Sequence, residues 1–240
     1  MEVINDLLNY KNLKIIQNSE MFSFSLDSIL LSNFVTINKN IDQILDIGCG
    51  NAPIPLILST KTDAHITGVE IQEKVYDMAK RTIALNHLEE QIDIINDDIN
   101  LRYQQIESDQ YDIITCNPPY FKVSPNSHFN LSDYKTIARH EVTLNLQQLL
   151  KISRKLLKNG GVLAIVHRPE RLIDLIEEMR KNNIEPKKLQ FVYPRKDQQC
   201  NTILIEGVKN GNPGLKILNP LYVHNETDEY TDEIKVQFSD

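Results

Sequence analysis

Residues 43–51 read QILDIGCGN, and this stretch decides the fold. The run 43–47 predicts a short buried strand, and two glycines follow it within three positions. Gly48 and Gly50 allow a tight turn and let a ligand approach the backbone closely. A helix predicted over 53–60 completes a unit of strand, turn and helix.

The rest of the chain repeats this alternation. Strands that alternate with helices predict an α/β fold with a doubly wound, mostly parallel sheet. Gly160 is expected to stop the helix that precedes the fifth strand. Seven strands are predicted, at 43–47, 65–69, 92–95, 111–116, 161–166, 189–193 and 201–206, with later helices at 73–85, 144–157 and 169–181.

The length predicts a single domain. A chain of 240 residues that is 41% hydrophobic can build one α/β core with a small appendage. Residues 41–210 form the predicted core, and 1–40 a short N-terminal cover with a strand at 14–17 and a helix at 27–34. Residues 211–240 form a C-terminal tail, whose acidic part after Asn219 is expected to be loosely ordered.

Composition excludes several classes of protein. The formal charge of −7 argues against indiscriminate binding of nucleic acid. No run approaches the ~18 apolar residues of a membrane span, and the N-terminus lacks the pattern of a signal peptide, so we expect a cytoplasmic protein without a membrane partner. The three cysteines lie far apart, which predicts neither disulfides nor a metal site.

The first strand end favours a cofactor that carries a positive charge. Asp46 precedes the two glycines, whereas the third glycine of a dinucleotide fingerprint would fall at Pro53. An acid at this position suits the ammonium group of S-adenosylmethionine.

Polar residues also follow the next three strands. Glu70 can accept both ribose hydroxyls, and Asp98 can accept the amino group of adenine. Each acid alone is more often a solvated loop carboxylate, but four successive strand ends with such residues point to one site. The candidate cofactor-binding residues are Asp46, Gly48, Cys49, Gly50, Asn51, Glu70, Ile71, Asp98, Ile99 and Asn117.

The fourth strand ends in the tetrapeptide Asn117-Pro118-Pro119-Tyr120, which forms the candidate catalytic set. The prolines remove two backbone donors, so the Pro118 carbonyl and the side-chain oxygen of Asn117 can both face an incoming NH2 group. Tyr120 offers a ring for stacking. The alternative interpretation is a Pro-Pro turn that only ends a strand.

These motifs resemble a known family. The segments DIGCGN, VE, NDDI and NPPY, in this order, resemble the Rossmann-like class I methyltransferases whose NPPY loop methylates amino or amide nitrogens. Segments 22–31, 138–141, 192–195 and 200–207 are similar to bacterial valine-tRNA adenine-37 methyltransferases, over roughly residues 5–235. The resemblance implies transfer of a methyl group to the N6 amine of the adenine next to the anticodon. Relatives often have glycine where this chain has Ala52, and little effect is expected from so small a side chain.

The implied partner is the anticodon stem-loop of a tRNA. Tyr120, Phe121 and Phe129 are candidates for stacking on the target base, although Phe129 can instead belong to a lid over 122–133. Arg139 and His140 either position this loop or form a local network. Between 151 and 200 there are twelve Lys and Arg against six Asp and Glu. Of these cations we favour Arg168, Arg195 and Lys196 as phosphate contacts, since they lie near predicted strand ends.

Two alternatives remain open from the residues. An NPPY enzyme can methylate a glutamine side-chain amide in a protein, but such enzymes usually carry an N-terminal helical domain, and only about 40 residues precede the first core strand here. A non-catalytic RNA-binding or cofactor-binding module is the other alternative. It has no need of a loop that polarises an amine.

Overall fold

The computed structural model describes residues 1–7, 12–18, 26–118 and 144–238. Its strands are β1 (Glu2–Asp6), β2 (Lys14–Asn18), β3 (Gln43–Ile47), β4 (His65–Glu70), β5 (Ile92–Asn96), β6 (Tyr111–Cys116), β7 (Leu157–His167), β8 (Ile184–Tyr193), β9 (Thr202–Lys209), β10 (Lys216–Ile217) and β11 (Leu221–Tyr222). Its helices are α1 (Leu26–Phe34), α2 (Pro53–Ser59), α3 (Glu73–Leu85), α4 (Ile99–Arg102), α5 (Leu146–Leu156), α6 (Leu172–Lys181) and α7 (Asp232–Val236), with a 3₁₀ turn at Pro169–Arg171.

The central sheet has the order β8-β9-β7-β6-β3-β4-β5, and the two-residue strands β10 and β11 pair with β8. All of these pairs are parallel except those of β9, which is antiparallel to both β7 and β8. The prediction of an α/β fold with seven main strands in a mostly parallel sheet is confirmed. Strand β3 pairs with β4 on one side and β6 on the other, so the chain reverses its direction of winding at β3. Ligands of such sheets bind beyond the carboxyl ends of the strands at this switch point.

Alternating residues of the central strands enter two hydrophobic clusters, one on each face of the sheet. Ile44 of β3 packs in the cluster that contains α1, α2 and α3. The next residue, Leu45, packs in the cluster that contains α5 and α6. Since side chains of a strand point alternately to opposite faces, an apolar run such as 43–47 supplies both layers at once.

The boundary between α5 and β7 differs from the prediction. The helix was expected to run to Leu157 and to end because of Gly160, but it ends at Leu156, and Leu157 is already extended and paired with Tyr111. Gly160 instead has a φ of 78° in the bulge that follows. The helix ends at Leu156 because Leu157 pairs with Tyr111 of β6, and this pairing requires an extended backbone.

The N-terminal cover is a hairpin of β1 and β2 that packs on α3, followed by α1. Thr82 Oγ1 of α3 accepts a hydrogen bond from the Ile16 backbone N–H at 3.1 Å. The predicted strand at 14–17 and helix at 27–34 are both confirmed within one residue.

The C-terminal tail is not loosely ordered, so this prediction was wrong. Strand β11 pairs with β8, and the Val223, Ile234 and Phe238 side chains are buried in the main core. Asn33 Nδ2 of α1 also donates to the Gln237 carbonyl at 2.9 Å. The acidic composition is a property of the exposed face of this segment, whereas a few spaced apolar residues hold it against the domain.

No helix in the described part of the chain is long and apolar enough to span a membrane.

Candidate active site

The loop after β3 is held against β4 and leaves open space on its other side. The backbone N–H groups of Gly48 and Cys49 both donate to the Val69 carbonyl, at 2.9 and 3.1 Å. Gly48 and Gly50 have φ values of 70° and 58°, which favour glycine because a side chain is strained there. A Cβ added at either glycine would meet no atom within 4 Å. A ligand can therefore approach this backbone closely.

A third residue of this loop, Ala52, also has a left-handed backbone, with a φ of 70°. Its side chain is fully buried at the start of α2, so its small size fits. The conformation itself costs an L-residue with a Cβ about 1–2 kcal/mol. The prediction that Ala52 has little effect was based on side-chain size alone. The left-handed backbone at Ala52 adds a free-energy cost that side-chain size does not predict.

Asp46 is a buried carboxylate with one unsatisfied oxygen. It is 1% exposed, and its Oδ1 accepts a hydrogen bond from Thr115 Oγ1 of β6 at 2.7 Å. Oδ2 is buried without a hydrogen-bond partner in the described structure. Burial raises the pKa of Asp46 to about 7, with a smaller increase from the charge of Glu70 and a decrease from the Thr115 hydrogen bond. A cationic donor at Oδ2 would satisfy this group and restore its charge.

Glu70 ties the ends of β3 and β4 together. Its Oε2 accepts from the Gly50 N–H at 3.0 Å and its Oε1 from the Gln72 N–H at 2.8 Å. The residue is 5% exposed, and burial raises its pKa while the backbone hydrogen bonds from Gln72 and Gly50 lower it. Each carboxylate oxygen has a second lone pair, so both can still accept from a hydroxyl of a ligand.

Of three other residues in the predicted cofactor set, two make structural contacts and the third is exposed. Asn51 Nδ2 donates to the Ile16 carbonyl of the N-terminal hairpin at 2.8 Å, so its side chain joins the loop to that hairpin. The Cys49 side chain is buried, and this burial raises the pKa of its thiol well above the ordinary value. Its Sγ packs against Gly68, where an added Cβ would lie only 2.8 Å from the sulfur atom. Ile71 is 38% exposed beyond the end of β4.

The end of β5 carries the third acid. Asp98 caps α4, and its Oδ1 accepts from the backbone N–H and the side-chain Nδ2 of Asn100, at 2.8 and 2.9 Å. Ile99 is the first residue of that helix and is buried. Asp97 points elsewhere, since its Oδ2 lies 3.3 Å from Arg102 Nη1.

Asn117 follows β6 and contacts the N-terminal segment. Its Nδ2 donates to the hydroxyl of Ser28 in α1 at 3.3 Å. Ser28 is 4% exposed, and the adjacent Pro118 is buried. Sequence reasoning gave Ser28 no role, although it lies inside the segment 22–31 that carried the family resemblance.

The structure brings together the strand-end residues of β3, β4, β5 and β6 at one edge of the sheet. Six predicted site residues lie outside the described residues, and their roles stay predictions. They are Pro119, Tyr120, Phe121, Phe129, Arg139 and His140.

Comparison with known proteins agrees with this geometry. The family model described as "Methyltransferase small domain" matches residues 12–185. The chain belongs to this family. A relative in Parabacteroides distasonis, named tRNA1(Val) (adenine(37)-N6)-methyltransferase, is 29% identical over 84% of this chain and 83% of its own length. Relatives in other bacteria carry the same name.

Solved structures share the fold of this methyltransferase. A predicted O-methyltransferase from Agrobacterium tumefaciens superposes with a TM-score of 0.70 at 17% identity, covering 88% of this chain and 95% of that one. A geranyl diphosphate C-methyltransferase from Streptomyces coelicolor, solved with S-adenosyl-L-homocysteine, has a TM-score of 0.59 at 11% identity and covers 76% and 74% of the two chains.

The methyltransferase depends on S-adenosylmethionine, and its own residues fit this cofactor. The orphaned Oδ2 of Asp46 suits an ammonium group, and the open space beside Gly48 and Gly50 suits a ligand packed against the backbone. Glu70 and Asp98 are the acceptors expected for ribose hydroxyls and the adenine amine. Among the described residues, no group of three metal-ligating side chains occurs.

The cations predicted to contact phosphates lie on the same edge of the methyltransferase. Arg168 follows β7, and its Nη1 donates to the Asn201 carbonyl at 2.7 Å. Arg195 follows β8 and pairs with Asp228 at 2.5 Å, while Lys196 is exposed. Since β9 is antiparallel to both neighbours, β8 runs in the same direction as β7, and both strands end at the edge of the sheet that carries the site.

Proposed function

We propose that this methyltransferase transfers a methyl group from S-adenosylmethionine to the N6 amine of adenine 37 in a valine tRNA. The observation that carries the proposal is the position of Asn117, which follows β6 beside the cofactor acids and whose Nδ2 donates to the Ser28 hydroxyl. The name of the relatives supplies the specific nucleotide.

The carboxamide of Asn117 suits an exocyclic amine. The nitrogen of such an amine is a poor nucleophile because its lone pair is delocalised into the ring. Nδ2 of Asn117 donates to Ser28, so Oδ1 is the atom of this side chain that can accept from the substrate N–H. A second acceptor, the Pro118 carbonyl, would draw the other N–H out of the ring plane and localise the lone pair on nitrogen.

Positioning accounts for the remaining catalysis. The bound cofactor supplies an electrophilic methyl carbon on a sulfonium leaving group. The residues of this chain therefore need to hold the amine in line and to stabilise its developing positive charge. Neither requirement calls for a dedicated general base, because the methylated nitrogen loses its proton readily once it is charged.

The substrate must present an unstacked adenine. Extracting a base from a duplex costs roughly a few kcal/mol, whereas the bases of an anticodon loop are already accessible. Arg168, Arg195 and Lys196 would contact the RNA backbone along the same edge of the sheet.

The experiment that tests this proposal uses labelled S-adenosylmethionine with separate pools of tRNA, ribosomal RNA, DNA and protein. We expect label only in tRNA, recovered as N6-methyladenosine at position 37 of a valine tRNA. A transcript with guanosine at this position is the matched control and should accept no label. Label in the protein pool alone would replace the proposal by a glutamine-amide methyltransferase, and label in no pool would contradict both.

A further inference from the structure

A cavity lies on the active-site edge of the sheet, away from Asn117. Its volume is about 850 Å³, and its lining includes Arg195, Lys196, Tyr222 and His224. We name it the C-terminal cavity because residues 222–231 supply most of its wall. Strand β8, which leads into it, is three positions from β6 in the sheet. At about 4.8 Å between neighbouring strands, the separation is roughly 14 Å.

The wall of the C-terminal cavity is held in place by hydrogen bonds. The Val223 N–H donates to the Tyr193 carbonyl at 2.8 Å, which extends the sheet beyond β8. Asn225 Oδ1 accepts from the N–H groups of Thr227 and Glu229, each at 3.0 Å. Arg195 is fixed by its ion pair with Asp228 of the same turn. The cavity is therefore formed before a ligand arrives, which lowers the entropic cost of binding.

Aromatic rings line one side of this cavity. The Tyr222 ring lies 5.5 Å from the Tyr193 ring, and the His224 ring stacks on Tyr230 at 5.0 Å with an angle of 18° between the planes. These contacts restrict the orientation of both lining rings. Rings held in this way provide surfaces on which a nucleobase can stack without regard to its identity.

The charges of the lining select the kind of ligand. Arg195 and Lys196 are cations, but Asp197 and Glu226 also line the cavity, so its formal charges balance. A free phosphate gains little in such a site, because the two carboxylates repel it. A nucleotide fits better, since its phosphate can meet the cations while amino groups of its base donate to a carboxylate.

We propose that the C-terminal cavity binds a second nucleotide of the substrate RNA, with the phosphate at Arg195 and Lys196 and the base at Tyr222 and His224. This inference rests on the proposed RNA substrate and adds a subsite to it. Tyr222 lies on β11, one strand beyond β8, and is therefore about 19 Å from β6 by strand spacing. A stacked strand advances about 3.4 Å per nucleotide, so the distances to β8 and β11 correspond to roughly four to six nucleotides. The second nucleotide therefore belongs to the same stem-loop as the methylated adenine.

The test compares binding of two RNAs by the full chain. The first RNA is the whole tRNA, and the second is a heptanucleotide centred on the target adenine, which is too short to reach the cavity. Fluorescence anisotropy gives Kd for each RNA with the wild-type protein, Lys196→Glu and Tyr222→Ala. The control is Lys39→Glu, which makes the same charge change at an exposed residue that lines a separate cavity near the start of β3.

We expect both variants to raise the ratio of the tRNA Kd to the heptanucleotide Kd by about fivefold or more, Tyr222→Ala because a stacked base is lost and Lys196→Glu because a phosphate contact becomes repulsive. Lys196→Glu should also reduce the salt dependence of tRNA binding by about one phosphate contact. Lys39→Glu should leave the ratio within about twofold of the wild-type value.

A ratio for Lys196→Glu equal to that of Lys39→Glu would overturn the proposal. Because Lys196 is exposed, this variant tests the phosphate contact without disturbing the fold. If Tyr222→Ala fails to fold, Tyr222→Leu tests stacking, since it removes the ring and keeps an apolar side chain. A ratio for the Tyr222 variant within about twofold of the Lys39→Glu value would equally overturn the proposal. Failure of the proposed function is a different observation, namely the absence of tRNA methylation by the wild-type protein under the same conditions.

Discussion

Asn117 Nδ2 donates a hydrogen bond to Ser28 Oγ at 3.3 Å, across 89 positions of sequence. This contact places the first turn of α1 directly behind the residue that would bind the substrate amine. An amide can flip about its terminal bond, and only its partners decide which of its ends faces a ligand. The N-terminal segment is therefore part of the site as well as a cover for the domain.

Replacing Ser28 with alanine should lower kcat by about fivefold, which corresponds to the ~1 kcal/mol typical of one neutral hydrogen bond. The affinity for S-adenosylmethionine should stay within about twofold. Steady-state kinetics and calorimetry would measure the two quantities. Ser32→Ala is the control, because the Ser32 hydroxyl donates within the same helix, to the Ser28 carbonyl at 2.8 Å, and its side chain is also buried. Equal losses in both variants would mean that Ser28 only stabilises α1.

Replacing Asn117 with alanine should reduce turnover by about 10²-fold or more, as the loss of a comparable polar stabiliser does in other active sites. Cofactor affinity should be nearly intact, because the acids of β3, β4 and β5 remain. Asn117→Asp keeps an acceptor oxygen and should fall between alanine and the wild type. Single-turnover methylation of tRNA measures the effect, and an unchanged rate in Asn117→Ala would exclude the proposed mechanism.

Asp46 should make both stability and cofactor affinity depend on pH. Burial raises its pKa from 3.8 to about 7 in the folded protein, so the folded state retains a proton that the unfolded state has lost. The cofactor-free protein should therefore lose stability as pH rises from about 4 through 7, by on the order of a few kcal/mol. Affinity for the cofactor should change in the opposite direction, since an ammonium group needs the ionised carboxylate.

Asp46→Asn isolates this effect. Thermal unfolding of both cofactor-free proteins between pH 5.5 and 8.5 should show the variant gaining stability relative to the wild type as pH rises through about 7. Calorimetry should show weak, pH-independent cofactor binding by the variant. A constant stability difference across this range would show that Asp46 is ionised throughout.

Gly50→Ala should weaken binding of S-adenosylmethionine more than tenfold, because the added methyl group would enter the open space beside the loop. The matched control is Gly160→Ala. Gly160 also has a positive φ, 78°, and free space around its Cβ position, but it lies in the bulge of β7. Both variants should lose a similar ~1 kcal/mol of stability from backbone strain, and only Gly50→Ala should lose cofactor affinity. Equal affinities would mean that no ligand approaches Gly50.

Local patterns were sufficient to predict most of the secondary structure. The strands at 43–47 and 111–116 and the helix at 73–85 occur at the predicted positions, because apolar periodicity reports which faces each element buries. The same patterns failed for the tail, where Ile234 and Phe238 have helical spacing but are too few, among acidic residues, to mark a buried face. These two residues are buried in the cluster that contains residues of α1 and β8. The composition of the tail does not predict this packing.

The sequence by itself determined the order of the strands along the chain and the polar residues that follow β3, β4, β5 and β6, since strand ends of a parallel sheet converge whatever the loops do. Only the tertiary structure decided how those residues are satisfied: Asn51 holds the N-terminal hairpin, Ser28 orients Asn117, and one oxygen of Asp46 is left without a partner. The physical reason is that periodicity is set by near neighbours in the chain, whereas each of these hydrogen bonds joins residues more than 30 positions apart and exists only after the N-terminal segment has packed against the rest of the domain.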